Sequence, residues 1–76
     1  MLKQGTILSI RGSVIDVRFP DRLPVIHSRL TTGPRHTIVL EVQAHLQDNT
    51  VRCIALNNTQ GLERNTPVVD TGTTVE

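Results

Sequence analysis

A chain of 76 residues with one aromatic side chain, one cysteine and a formal charge of +1 has room for a single small domain, residues 1–76, and little with which to staple it. Eight lysines and arginines are interleaved with seven aspartates and glutamates, so no basic block follows a phosphate backbone, and Phe19 alone cannot form the stacking platform of a single-strand nucleic-acid binder. No apolar run approaches the roughly 18 residues of a membrane span, and residues 1–5 lack the apolar core of a signal peptide.

These features predict a soluble, intracellular chain. A domain this short buries only roughly 60% of the surface its unfolded form exposes. One cysteine cannot close an internal disulfide, which fits a reducing compartment. By elimination, a partner surface is the expected extra support.

In chain order, residues 4–10 and 13–19 read as two strands joined at Arg11-Gly12, where glycine supplies the freedom for a turn. Ile15, Val17 and Phe19 alternate with Val14, Asp16 and Arg18, a half-buried pattern with Val14 on the nominally wet side. Pro20 and Pro24 then interrupt pairing. Residues 25–30, apolar at Val25, Ile26 and Leu30, allow a short strand or a turn of helix, and residues 31–35 read as a loop.

The longest feature is a hairpin of residues 38–46 and 51–56 about a polar break at residues 47–50. Ile38, Leu40, Val42 and Ala44 share one face of its first run; Val51, Cys53 and Ala55 share a face of its second. A turn centred on Asp48-Asn49 predicts Ala44 opposite Cys53 and Val42 opposite Ala55. An odd-numbered loop sets Ala44 opposite Arg52 instead, so parity favours an even one.

Residues 57–62 read as loop, with Gly61 as a candidate for positive φ, and residues 62–66 as a connector. Residues 67–71 form a last strand, with Pro67 where its missing donor is tolerated. Residues 71–76 trail off without closure, which leads to the expectation that the native chain continues.

Five or six short strands without a helical period predict an all-β fold, and so short a chain makes a small closed barrel more readily than two full sheets. A closed barrel also removes sticky edges. Apolar residues occur on both parities: Val14 beside Ile15, Val39 beside Leu40, Ile54 beside Cys53. One face lines the interior; the other meets a loop or a partner, or is ordinary exposed β surface.

No phosphate-cradling glycine motif is present. His27, His36 and His45 have no cysteine or carboxylate at metal-site spacing, and His45 beside the hairpin turn suits a polar surface role. Cys53, on an apolar strand face, reads as a small core residue. Asp16, Glu41 and Asp70 each stand alone on a strand and are expected to pair with basic neighbours, Arg18 and Arg52 among them. Asn57-Asn58-Thr59 matches a glycosylation sequon but has no secretory context. No catalytic, cofactor-binding or metal-ligating residue is therefore assigned.

Five segments in register resemble the beginning of the beta subunit of F-type ATP synthases. They are residues 5–7 with 10–19 (Ile-Arg-Gly-Ser-Val-Ile-Asp-Val-Arg-Phe), Leu23-Pro24-Val25-Ile26, residues 40–46 with 48–55 (Leu-Glu-Val-Gln-Ala-His-Leu, then Asp-Asn-Thr-Val-Arg-Cys-Ile-Ala), residues 59–64 (Thr-Gln-Gly-Leu-Glu-Arg), and Val69-Asp70-Thr71-Gly72. The hairpin pair is the most specific, and the alpha-subunit pattern fits less well. Gln47 and Asn65 stand where the family usually has glycine, Leu56 replaces a common methionine and Thr74 a usual proline. These departures lie nearer the alternate bacterial branch, in which sodium is a candidate ion, than the main one.

The resemblance implies a six-stranded β-barrel, the amino-terminal crown domain of a catalytic subunit, ringed with alpha subunits in an alpha3beta3 hexamer. It implies a peripheral place at the cytoplasmic face of the bacterial inner membrane, with no direct membrane insertion and no nucleic acid. It also implies that ATP or ADP, Mg2+ and the catalytic groups belong to domains beyond residue 76, so this fragment carries no cofactor and no catalysis of its own. Alone, the barrel is expected to be monomeric or weakly associating. The rival readings are a free-standing small-barrel adaptor for a ligand or nucleic acid, which needs a basic or aromatic face that the sequence lacks, and an enzyme built around Cys53 or the histidines.

Overall fold

The computed structural model describes residues 3–35 and 37–74, with the backbone alone at residues 3 and 72–74. Six strands, β1 (Lys3–Arg11), β2 (Val14–Arg18), β3 (Ser28–Thr32), β4 (Ile38–His45), β5 (Thr50–Ala55) and β6 (Pro67–Thr74), form a closed antiparallel barrel in the order β1-β2-β5-β4-β3-β6. The all-β barrel expected from the strand pattern is the fold observed.

Alternation dictates what fills it. Ile15 and Val17 of β2, Leu40 and Val42 of β4, and Val51 and Cys53 of β5 all point inward and are fully buried. Phe19, 1% exposed, is the largest buried side chain. Burying a ring of this size stabilises the fold by about 2–3 kcal/mol. Gly5 makes room for it, because a Cβ there would lie 3.0 Å from two Phe19 ring carbons and 2.6 Å from the Arg18 carbonyl oxygen.

The hairpin register differs from expectation. Leu46 N donates to Thr50 O at 2.7 Å, so three residues span the turn, with Asp48 and Asn49 in the left-handed region at φ 61° and 59°. This odd loop sets Ala44 opposite Arg52. A β-bulge between Val42 and Ala44 then takes up Gln43 and returns Val42 to a position opposite Cys53, with Leu40 opposite Ala55. Ala44 does not face Cys53, nor Val42 Ala55. The bulge is a backbone event at an exposed glutamine, and period-2 patterning carries no signal for it.

Three further boundaries move. Thr31 and Thr32 end β3 rather than open a loop; their β-branched side chains suit a strand, and the buried Thr32 Oγ1 donates to Pro67 O at 2.8 Å. The chain turns at Gly33, where φ is 94°. Val25 and Ile26 precede β3 in a turn closed by Ser28 N donating to Val25 O at 3.0 Å. β6 runs on past residue 71, with Thr73 and Thr74 opposite Arg29 and Ser28.

The connector before β6 is bound to β1. Ile7 N donates to Thr66 O, Asn65 N donates to Ile7 O, and Arg64 Nε donates to Leu8 O at 3.1 Å. These bonds occupy the bulge in β1 between Ile7 and Ser9. Asn65, at φ 67°, takes the left-handed conformation, which asparagine tolerates better than most residues.

Candidate functional site

The chemistry-bearing side chains are dispersed. Cys53 lies inside the barrel, fully buried among aliphatic neighbours, and burial pushes its thiol up to about 12. That disfavours the thiolate a nucleophile needs. Asp16 receives Arg52 Nε at 3.0 Å and Nη2 at 3.2 Å across the β2–β5 ladder, with Ser9 Oγ donating at 3.3 Å. Glu41 takes a histidine rather than an arginine: His27 Nδ1 donates to its Oε2 at 2.9 Å. His45 reaches away from the turn, its Nε2 donating to Pro24 O at 2.6 Å. His36 lies outside the described residues, and Asp70 is half-buried on β6.

Among the described residues no three of His, Cys, Asp and Glu converge as a metal site would require. Two of the open clefts among the described residues each hold an ionisable side chain. One, of about 300 Å³, holds Glu63 as its one ionisable side chain; the other, of about 330 Å³, holds Arg18. Neither gathers an acid and a base. Among the described residues no helix is long and apolar enough to cross a membrane.

The barrel's outer wall, by contrast, carries an organised apolar strip. Val14, Ile54 and Glu41 lie in one cross-strand row over β2, β5 and β4. Two residues along β5, Leu56 N donates to Val39 O at 2.8 Å, which sets Leu56 beside Val39. Ile54 is 40% and Leu56 47% exposed, with Val14 and Val39 half-buried beside them. The apolar residues on the second parity thus converge on one side of the wall. Gln43, exposed on the bulge, stands along the same hairpin.

Asn57, read from sequence only as loop, proves to be a structural clamp. Its Oδ1 accepts from Val39 N at 2.9 Å and its Nδ2 donates to Thr37 O at 2.7 Å. Asparagine's paired donor and acceptor make this possible, but its location is a property of the folded loop.

The barrel thus carries an apolar strip on its outer wall, and among the described residues no set of His, Cys, Asp and Glu gathers. The profile of the ATP synthase alpha/beta family, beta-barrel domain, matches residues 7–72. The chain belongs to this family. It is 53% identical over 68 residues to ATP synthase subunit beta 2 of Shewanella frigidimarina, covering 90% of the chain and 14% of that relative. Against ATP synthase subunit beta 1 of a Marinomonas species it is 49% identical over 73 residues, covering 90% and 15%. Against ATP synthase subunit beta 2 of Albidiferax ferrireducens it is 52% identical over 71 residues, covering 93% and 14%. The family barrel thus spans about one-seventh of the length of these relatives.

Proposed function

We propose that this chain is the amino-terminal assembly domain of an ATP synthase beta subunit, and that its outer wall joins alpha subunits in an alpha3beta3 ring. The observation that carries the reading is the apolar strip of Val14, Ile54, Leu56 and Val39 on one side of a barrel whose interior is already filled. In this role the barrel performs no chemistry. Nucleotide, Mg2+ and the catalytic groups belong to the remainder of the subunit, and the parent complex couples ATP synthesis or hydrolysis to proton or sodium transport. The complex sits at the cytoplasmic face of the bacterial inner membrane through its membrane sector, and the barrel alone is a monomer or associates weakly.

The test is a chimaera in which this barrel replaces that of the Shewanella frigidimarina beta subunit, mixed with the alpha subunit of the same organism. Native mass spectrometry should show hexamers with the unaltered barrel and lose them with I54E/L56E. Hexamers that persist with both glutamates in place would refute the assignment of the strip. Saturable binding of ATP or an oligonucleotide by the 76-residue chain itself would favour the adaptor reading instead.

A further inference from the structure

Val25 and Ile26 are the second exposed apolar feature, 61% and 38% exposed. They lie in the turn before β3, and His27 beside them bonds Glu41, the β4 residue opposite Ile54 of the strip. Exposed aliphatic residues are common, but this pair is held in place in a way that a loose loop is not. His27 N donates to Val42 O at 2.8 Å, and His27 Nδ1 donates to Glu41. His45 Nε2 donates to the carbonyl of the buried Pro24. Three bonds from β4 therefore fix the residues on either side of the pair. His27 adopts φ 71°, a conformation that disfavours most side chains by about 1 kcal/mol or more.

β6 finishes beside this turn. Ser28, bonded through its N to Val25 O, lies opposite Thr74. A β-turn spans less than about 7 Å and paired strands stand about 5 Å apart, so Val25 lies within about 12 Å of the Thr74 backbone. The relatives are about seven times as long as the stretch they share with this chain. In the subunit assigned above, the polypeptide that follows Thr74 leaves the barrel beside this pair.

We propose that Val25 and Ile26 form a rigid apolar seat for the segment of the same subunit that follows the barrel, clamped by His27 and His45 so that the barrel is fixed to the next domain and does not swing on a linker. The proposal rests on the beta-subunit assignment, and the occupant is intramolecular. It therefore fails or holds independently of the alpha-subunit contact made by Ile54 and Leu56.

Cysteine accessibility tests it, because the native thiol of Cys53 is buried and silent. I26C and V25C are placed in the 76-residue chain and in the Shewanella beta-subunit chimaera without alpha subunits, and maleimide labelling rates are compared after subtraction of the chimaera lacking the new cysteine. Q60C, in the exposed loop between β5 and β6, serves as the reference. The expected result is labelling at least tenfold slower at positions 25 and 26 in the chimaera, with the rate at position 60 unchanged. Equal rates at 25 and 26 in both proteins overturn the proposal. So does protection that appears only when alpha subunits are added, which places the pair in the ring. Slow labelling of a self-associating 76-residue chain overturns it as well, by making a second copy the occupant.

Discussion

Asp16 and Arg52 face each other across the β2–β5 ladder and are joined by two parallel hydrogen bonds, Nε to Oδ1 and Nη2 to Oδ2. The pair borders the apolar strip one row beyond Val14 and Ile54. The hydrogen bond from Arg52 outweighs partial burial and, with the charge of Arg52 and the bond from Ser9, holds the Asp16 carboxyl below the usual carboxylate range.

Because its folded-state value is depressed, Asp16 contributes stability that is fully present well above the ordinary carboxylate value of about 3.9. The contribution is lost as pH falls through the lower, folded-state value. D16N should lower the Tm by a few degrees at pH 7. The two melting curves should converge as the solution is acidified below pH 4. A constant difference across pH 2–7, followed by circular dichroism, would show that the charge is not the cause.

The glycines offer a sharper contrast. G5A forces a methyl against the Arg18 carbonyl and the Phe19 ring, a backbone oxygen and a buried side chain. Overpacking of this kind costs about 3 kcal/mol, a Tm loss of roughly 12–24 °C for a domain this small. Gly12, at φ 60° with open space around it, exacts only the backbone term. G12A should therefore cost about 1 kcal/mol. Chemical denaturation of the two variants checks the order, which inverts if space around the barrel end is not limiting.

Cys53 should resist thiol reagents in the native barrel and react fully once the barrel is unfolded. C53S puts a hydroxyl between Ile15 and Val42, the residues on either side of it in the sheet. Without a partner there, it destabilises by about 1–3 kcal/mol. Disulfide-exchange kinetics in rising urea measure both effects. Rapid native labelling would contradict the burial.

Asn57 should be the most sensitive residue of the polar loop after β5. N57A removes an acceptor from Val39 N and a donor to Thr37 O. At about 1 kcal/mol for a hydrogen bond, the loss is about 1–2 kcal/mol. N57D keeps the acceptor and should recover part of it. Amide exchange at Val39 reports the first bond directly and should quicken in N57A but not in N57D.

What the sequence made legible is the part governed by side-chain period. The alternation in residues 13–19 and 38–42 picked out the inward residues of β2 and β4 but failed at Ala44, which lies past the bulge and opposite Arg52. Gly12 and Gly61 were readable as turn positions because glycine takes a positive φ without strain. The register of the hairpin was not, because one odd turn and one bulge at Gln43 cancel each other in the pattern. Thr31 and Thr32 were misread because their polar atoms suggested a loop, when one hydroxyl has a carbonyl waiting for it on β6. The clamps at His27, His45 and Asn57 join segments distant in the chain, and no local spacing announces them.

The seam of the barrel is the pairing of β1 with β6, in which Lys3 lies opposite Asp70 and Thr6 opposite Pro67. Within the barrel, the earliest strand in the chain therefore waits for the last. Until residues 67–70 emerge, β1 and β3 each lack one of their two neighbours and offer a bare edge. Loop closure over nearly the whole chain places folding toward the slow end for its size. Truncation ahead of Val68 should leave an open sheet that sticks to itself, so the few residues of β6 decide whether nascent chains become barrels or aggregates.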